Sequence, residues 1–156
     1  MNNSRQLIVI GIIFLIAVIL FGFFALKHDG RDVGNNSLEF TDRIQVGDDF
    51  INVAIADSPE EQAKGLSDQL PIESHQGLLI TFQSSGIYSI WMKDMKFALD
   101  AIWIDKNGEV VDIKTNLTPE TYPAVFTPRV PALYILEIPA GSVENFGIKI
   151  GDKVVF

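Results

Sequence analysis

The sequence predicts a mainly β fold, a compact antiparallel barrel or two-sheet sandwich with one short helix, preceded by a single transmembrane helix. Three observations carry that expectation. The apolar residues are concentrated in one N-terminal run, residues 7–26 (LIVIGIIFLIAVILFGFFAL), whose only non-apolar members are Gly11 and Gly22. Beyond it, short β-branched and aromatic runs recur between Gly, Pro, Asn and Asp, as strands joined by turns do. Only one stretch carries a full set of helix start and stop signals. Many strands with few helices bury their apolar faces most simply in a barrel or sandwich.

The elements follow in order. Residues 1–6 form a short leader, expected on the cytoplasmic side. Residues 7–26 are twenty in number. At about 1.5 Å rise each they give roughly 30 Å of helix, the thickness of a bilayer's hydrocarbon core. Each central Leu, Ile, Phe or Val favours insertion by roughly 0.3 to 0.6 kcal/mol, so the run partitions into lipid by several kcal/mol. A cleaved signal peptide has an apolar core of about 7 to 15 residues and a small-x-small site. This run is longer and ends Phe24-Ala25-Leu26-Lys27-His28, so it reads as an uncleaved signal-anchor. Arg5 lies before the run, and Lys27 and Arg31 lie after it, a near tie under the positive-inside rule. A six-residue leader running straight into the anchor places the N-terminus inside and the remainder outside. The expected address is the cell membrane, single-pass, with an extracytoplasmic C-terminal domain. Residues 27–37 (KHDGRDVGNNS) read as a flexible tether, reaching roughly 20 Å by random-coil scaling.

The domain spans 38–156. Strand signals fall at 44–46, 50–56, 77–82, 87–92, 101–105, 109–115, 133–138 and 154–156. The helix begins at Ser58, a cap, with Pro59 in the first turn and Glu61 where a capping box needs it, and ends at Gly65. A second helical turn is marked by Ser142 and terminated by Gly147. In IWID-KNG-EVVDI, Asn107-Gly108 suits a two-residue type I′ turn, which sets Lys106 against Glu109, Ile104 against Val111 and Ile102 against Ile113. The same period-two count puts Asp100 on the face of Ile102 and Ile104 and puts Glu137 with Leu133 and Ile135. In IYSIWMK, Tyr88, Ile90 and Met92 share one face and Ser89, Trp91 and Lys93 the other.

Lys93, Asp100 and Glu137 are thus ionisable groups in or at the ends of apolar strands. They read either as an ion pair closing the core or, with Trp91, as the floor of a ligand pocket. The candidate binding residues are therefore Trp91, Lys93, Asp100 and Glu137.

Composition narrows the chemistry. Twelve Lys and Arg against 20 Asp and Glu give a net charge of -8. The domain alone holds nine basic and 18 acidic residues, a net of -9. Such a balance repels phosphate backbones, so nucleic acid is not an expected partner. The absence of cysteine excludes disulfides, thiolate metal sites and a cysteine nucleophile, and His28 and His75 are the only imidazoles. No metal or cofactor is expected. Residues 105–109 resemble a calcium loop only faintly, and no G-x-S-x-G, P-loop or G-x-G-x-x-G occurs. Asn2, Asn35 and Asn116 open N-x-S/T triplets, which matter only where secreted chains are glycosylated.

Several pieces then combine: A-D-S-P-E-E-Q-A-K-G-L from Ala56 to Leu66, G-L-L-I-T-F from Gly77, W-M-K at Trp91, L-D at Leu99, D-x-x-G-x-V from Asp105, Y-I-L-E-I-P-A-G from Tyr134, and Gly151-Asp152. With them the run 53–156 resembles the DUF192 family, also called UPF0127, small and often exported or membrane-anchored proteins of uncharacterised role. The resemblance covers about two thirds of the chain. It implies a β-rich, barrel-like fold with a small helix, and no agreed reaction. The family commonly reads W-M-K-N-T and P-L-D, where this chain has Asp94, Met95 and Ala98. Where relatives carry Met and Arg after the helix, here stand Ser67, Asp68 and Gln69.

The expected role is a membrane-anchored extracytoplasmic ligand-binding or accessory module for a small molecule, glycan or protein. The sparse catalytic equipment favours binding over catalysis. The alternatives are a carboxylate-dependent envelope hydrolase using Asp100 and Glu137 as an acid/base pair, which requires the two to share a cleft, and a protein-docking module.

Overall fold

The computed structural model describes residues 38–156. The expected leader, transmembrane span and tether over 1–37 lie outside the described residues. Among those described, no helix is long and apolar enough to cross a membrane.

The architecture is mainly β. Seven strands form one curled sheet: β1 (Asp42–Val46), β2 (Asp49–Ala56), β3 (Gln76–Gly86), β5 (Leu99–Ile104), β6 (Val110–Leu117), β8 (Ala132–Pro139) and β9 (Val154–Val155). Their order across the sheet is β6-β5-β8-β3-β2-β1-β9. A separate two-stranded sheet pairs β4 (Ile90–Trp91) with β7 (Val125–Phe126). Helix α1 (Pro59–Lys64) follows β2, and α2 (Ser142–Asn145) follows β8.

The sheet's two edges meet at one end. Glu109 bridges Lys153, the Val154 amide donates to the Gly108 carbonyl at 2.7 Å, and the Val110 amide donates to the Asp152 carbonyl at 2.9 Å. This contact closes the curl into a partial barrel and satisfies edge groups that would otherwise be free to pair with other chains. Each face of the sheet then has its own core. Ile44, Val46, Ile51, Val53, Leu79, Ile102, Ile104, Val110, Leu136, Ile138 and Val154 pack together on one face, with Val143 and Ile148 beside α2. On the other, Ala54, Ala56, Leu78, Ile80, Leu99, Ala101, Trp103 and Ile135 pack against Leu66, Ile90 and Met92. Every residue of β5 is buried, because both faces of that strand are covered.

Five expectations are corrected. The sheet is not antiparallel throughout: β2 and β3 run parallel. A parallel pair needs a crossover of a dozen residues or more, and α1 with the segment up to β3 supplies it. Among the described residues there are two short α-helices instead of one. Gly141, not Ser142, caps α2, while Gly147 ends it at φ 64 as expected.

The strand expected over 87–92 shrinks to Ile90–Trp91 because the backbone before it is used otherwise. The Tyr88 carbonyl accepts the Trp103 indole N–H at 2.8 Å, and the Tyr88 ring stacks on Phe82 at 3.6 Å.

The hairpin register holds at Ile102 against Ile113, but a bulge then sets Ile104 against Val110 instead of Val111. The cause is Asp105, whose carboxylate accepts the amides of Asn107 and Glu109, both at 2.8 Å. The turn is therefore longer than two residues, with Gly108 at φ 74 in the left-handed position.

The helix reading is matched in detail. The Ser58 hydroxyl accepts from the Glu61 amide, and the Glu61 carboxylate accepts from the Ser58 amide at 3.1 Å, a reciprocal capping box.

Candidate functional site

The site is organised by the end of α1. Gly65 terminates the helix, its N–H donating to the Glu61 carbonyl at 2.8 Å. It adopts φ 52 and ψ -134, a region that side chains with a Cβ rarely enter. The turn lays Leu66 onto the sheet, fully buried, with its amide hydrogen-bonded to the Glu137 carboxyl. A Cβ on Gly65 would stand 3.4 Å from Glu137 Oε2, so this turn is in contact with the carboxyl.

Glu137 lies in the middle of β8, with Leu78 of β3 and Ala101 of β5 directly opposite it. It is 5% exposed, and among the described residues its Oε2 has no hydrogen-bond partner. Burial pushes its pKa up to about 7, against the opposing effect of the Leu66 amide.

The carboxyl borders a cavity of about 330 Å³, at the small end of ligand pockets. Its walls come from α1 and the following turn, from Ile80, and from Ser89, Ile90 and Trp91, with Met95 and Val125 completing them. Trp91 is 48% exposed, paired with Val125 across the small sheet and edge-on to Tyr122 at 6.3 Å between ring centroids. Two loops are stitched together beside it. The Ser67 hydroxyl donates to the Lys93 carbonyl at 2.8 Å, and the Asp68 amide donates to the Asp94 carbonyl at 2.9 Å. Asp68 and Asp94 both hold positive φ, 62 and 56. Strained non-glycine residues of this kind concentrate at functional sites.

The four candidate residues divide between two places. Trp91 and Glu137 line the same cavity. Lys93 is exposed beside it, its Nζ 5.9 Å from the centre of the Trp91 ring, and among the described residues it pairs with neither carboxylate.

Asp100 lies elsewhere. Because Ala101 pairs with Glu137, Asp100 pairs with Ile138 and projects from the opposite face. Its Oδ1 accepts the Asn116 amide at 2.8 Å and its Oδ2 the Val143 amide at 3.0 Å. It thereby anchors both α2 and a bulge in β6, where Asn116 takes φ 53. A second, more open cavity of about 640 Å³ lies on that side. Asp100 and Glu137 have no common cleft, so they cannot serve one substrate as an acid/base pair.

Sequence reasoning missed the Gly65-Leu66 turn as a site element, and also Tyr122, Met95 and Val125. Only the positive-φ tolerance of Gly65 and its place at a helix end signalled the first. Among the described residues no three His, Asp or Glu side chains are grouped to hold a metal ion.

A DUF192 family model, described as an uncharacterized ACR, matches residues 42–156. A UPF0127 protein of Pyrococcus horikoshii is 28% identical over 120 residues, covering 77% of this chain and 92% of that protein. A UPF0127 protein of Pyrococcus furiosus is 32% identical over 71 residues, 46% of this chain and 55% of that protein's length. Among solved structures, a Sinorhizobium meliloti protein described as a proposed transcription regulator matches with a TM-score of 0.70 and 26% identity, covering 72% of this chain and 91% of that one. A Novosphingobium aromaticivorans protein of unknown function matches with a TM-score of 0.71 at 24% identity, over 80% of this chain and 95% of that one, a likeness of fold.

Proposed function

Since the chain belongs to the DUF192 family, whose biochemical role is uncharacterised, we propose from its own geometry that it is a small-molecule-binding module held at the membrane by residues 7–26, with the domain outside the cytoplasm. The observation that carries the binding role is the cavity at Glu137. It combines a buried carboxylate oxygen without a partner among the described residues and a half-exposed Trp91 at one wall. A buried acceptor left unsatisfied costs free energy that a donor on a ligand would recover. The aromatic wall supplies contact area with little conformational entropy to lose.

The membrane placement is supported by the sequence alone, through the length and composition of residues 7–26. The regulator description of the Sinorhizobium protein is not carried over, since a domain with nine basic and 18 acidic residues is poorly suited to DNA.

A thermal-shift screen of amines, sugars, peptides and metals against the full chain tests the binding role. A stabilising compound is expected, and its effect is expected to shrink in Trp91→Ala and Glu137→Gln, the two substitutions at residues that line the cavity. An effect that survives both substitutions moves the site elsewhere. Protease added to intact cells and to spheroplasts tests the orientation. A C-terminal domain shielded until lysis contradicts it.

A further inference from the structure

We infer that the cavity beside Glu137 takes a small organic ammonium ion, an apolar body with one protonated amine whose N–H donates to Glu137 Oε2. This rests on the ligand-binding reading above and gives it a ligand class. Three observations select that class. First, Oε2 is an acceptor, buried and without a partner among the described residues, at the end of a side chain whose carboxyl otherwise meets the Leu66 amide. A buried carboxylate is tolerated when it is paired with a charge, and charge-assisted bonds are about twice as strong as neutral ones. Second, Ala63, Leu66, Ile80, Ile90 and Met95 make most of the wall hydrocarbon. The cavity's neutral polar side chains are already engaged, Gln62 with the Thr81 carbonyl, Ser67 with the Lys93 carbonyl and Ser89 with the Thr127 hydroxyl, so a ligand with a single polar end matches this wall better than a sugar with several hydroxyls to satisfy. Third, the domain's net charge of -9 concentrates cations around it.

The charged groups near the carboxyl do not oppose this. On β5 and β3 its neighbours are Ala101 and Leu78, and Asp100 points to the other face. Among the described residues lining the cavity, Lys64 of α1 is the other ionisable one, and it is exposed to water, which screens it. Lys93 lies beside the Trp91 ring at the rim, and Lys96 lies 3.8 Å from Asp68. Asp94 is exposed in the same loop.

Binding of an ammonium draws the proton off Glu137. Affinity is therefore expected to rise by up to about tenfold per pH unit below pH 7 and to level off above it.

The test is calorimetric titration of the full chain in detergent with two probes of the same shape, 2-phenylethylammonium and 2-phenylethanol. The ammonium is expected to bind at least about tenfold more tightly than the alcohol. At pH 6 it is expected to release a proton, seen as a heat that changes with the buffer's ionisation enthalpy, and Glu137→Gln is expected to remove both the preference and the release. The probe comparison needs no variant, so a Glu137→Gln protein that fails to fold leaves the test intact. An alcohol that binds as well as the ammonium overturns the cation preference while the pocket reading stands. Failure of both probes, together with an empty thermal-shift screen, overturns both.

Discussion

Asp100 and Glu137 stand one residue apart in register on neighbouring strands and point to opposite faces of the sheet. The first has both carboxylate oxygens bonded to backbone amides of distant segments, and the second has one oxygen with no partner among the described residues. Two acids that look equivalent in the sequence thus do different work. One ties the fold together, and the other is left available at a cavity.

Asp100→Ala is expected to destabilise the domain without touching the cavity at Glu137. It orphans the Asn116 and Val143 amides, at about 1 to 3 kcal/mol each where the group stays buried. Asp100→Asn keeps an acceptor and should fall between wild type and Ala. Denaturant midpoints measure this. A loss of probe binding in a variant of unchanged stability would place Asp100 in the binding machinery.

Glu137 gives the stability a slope with pH. Its folded pKa is raised to about 7 from an ordinary 4.5, so between those values the folded state holds more protons than the unfolded one. Its contribution is complete below about pH 4.5, is lost as pH rises through 7 and is constant above. The loss is on the order of 3 kcal/mol. Unfolding free energies across pH 4.5 to 8 should show a decline that Glu137→Gln lacks. Parallel curves for the two proteins would contradict the burial of an unpaired carboxyl.

Asp112 works in the other direction. Burial pushes its pKa up, but the Arg129 guanidinium and amide, with the Ile113 amide, outweigh this and hold it below the ordinary value. The Arg129 amide donates at 2.8 Å and its guanidinium at 3.0 and 3.2 Å. The folded state therefore binds this proton less readily, and the stabilisation is present above pH 3.8 and lost as pH falls through the folded pKa. Arg129→Ala keeps the amide bond and removes a side chain that is 65% exposed. Its cost should be modest, about 1 kcal/mol after screening. Acid unfolding is expected to move to higher pH in Arg129→Ala, and an unshifted acid transition would show that the pair adds nothing.

The parts of the fold that were legible in the sequence are those set by local chemistry. The capping box at Ser58 and Glu61, the alternation of Trp91 with Ile90 and Met92, and the Ile102 to Ile113 pairing depend on neighbours within a few residues. What was hidden depends on distant segments. The parallel pairing of β2 with β3 follows from a crossover path. The two-residue strand β7, lying between Pro123 and Pro128, is too short to show a period. Of the site, burial of the two acids was legible from strand parity, and so was their placement relative to local neighbours. That parity could not be carried from β5 to β8 without the inter-strand register, and a shift of one residue decides whether the carboxyls share a face. Lys93 follows the same logic: its face was legible, but the expectation of a buried partner for it was not met among the described residues.

The closure between β6 and β9 predicts a local weak point at Gly108. Its φ of 74 is unfavourable for a side chain, and a Cβ would stand 2.7 Å from the Val154 carbonyl oxygen, a backbone atom that cannot swing aside. Gly108→Ala should therefore cost about 2 kcal/mol or more through strain and separation of the two edges. The damage should also be local. The Val154 and Val110 amides, which donate across the seam to Gly108 and Asp152, should lose hydrogen-exchange protection by far more than the Leu136 amide in the sheet centre, because local opening needs only the seam to part. A uniform loss of protection would instead mean that the closure and the sheet unfold as one unit. Unchanged protection at Val154 would mean that the seam does not hold the curl.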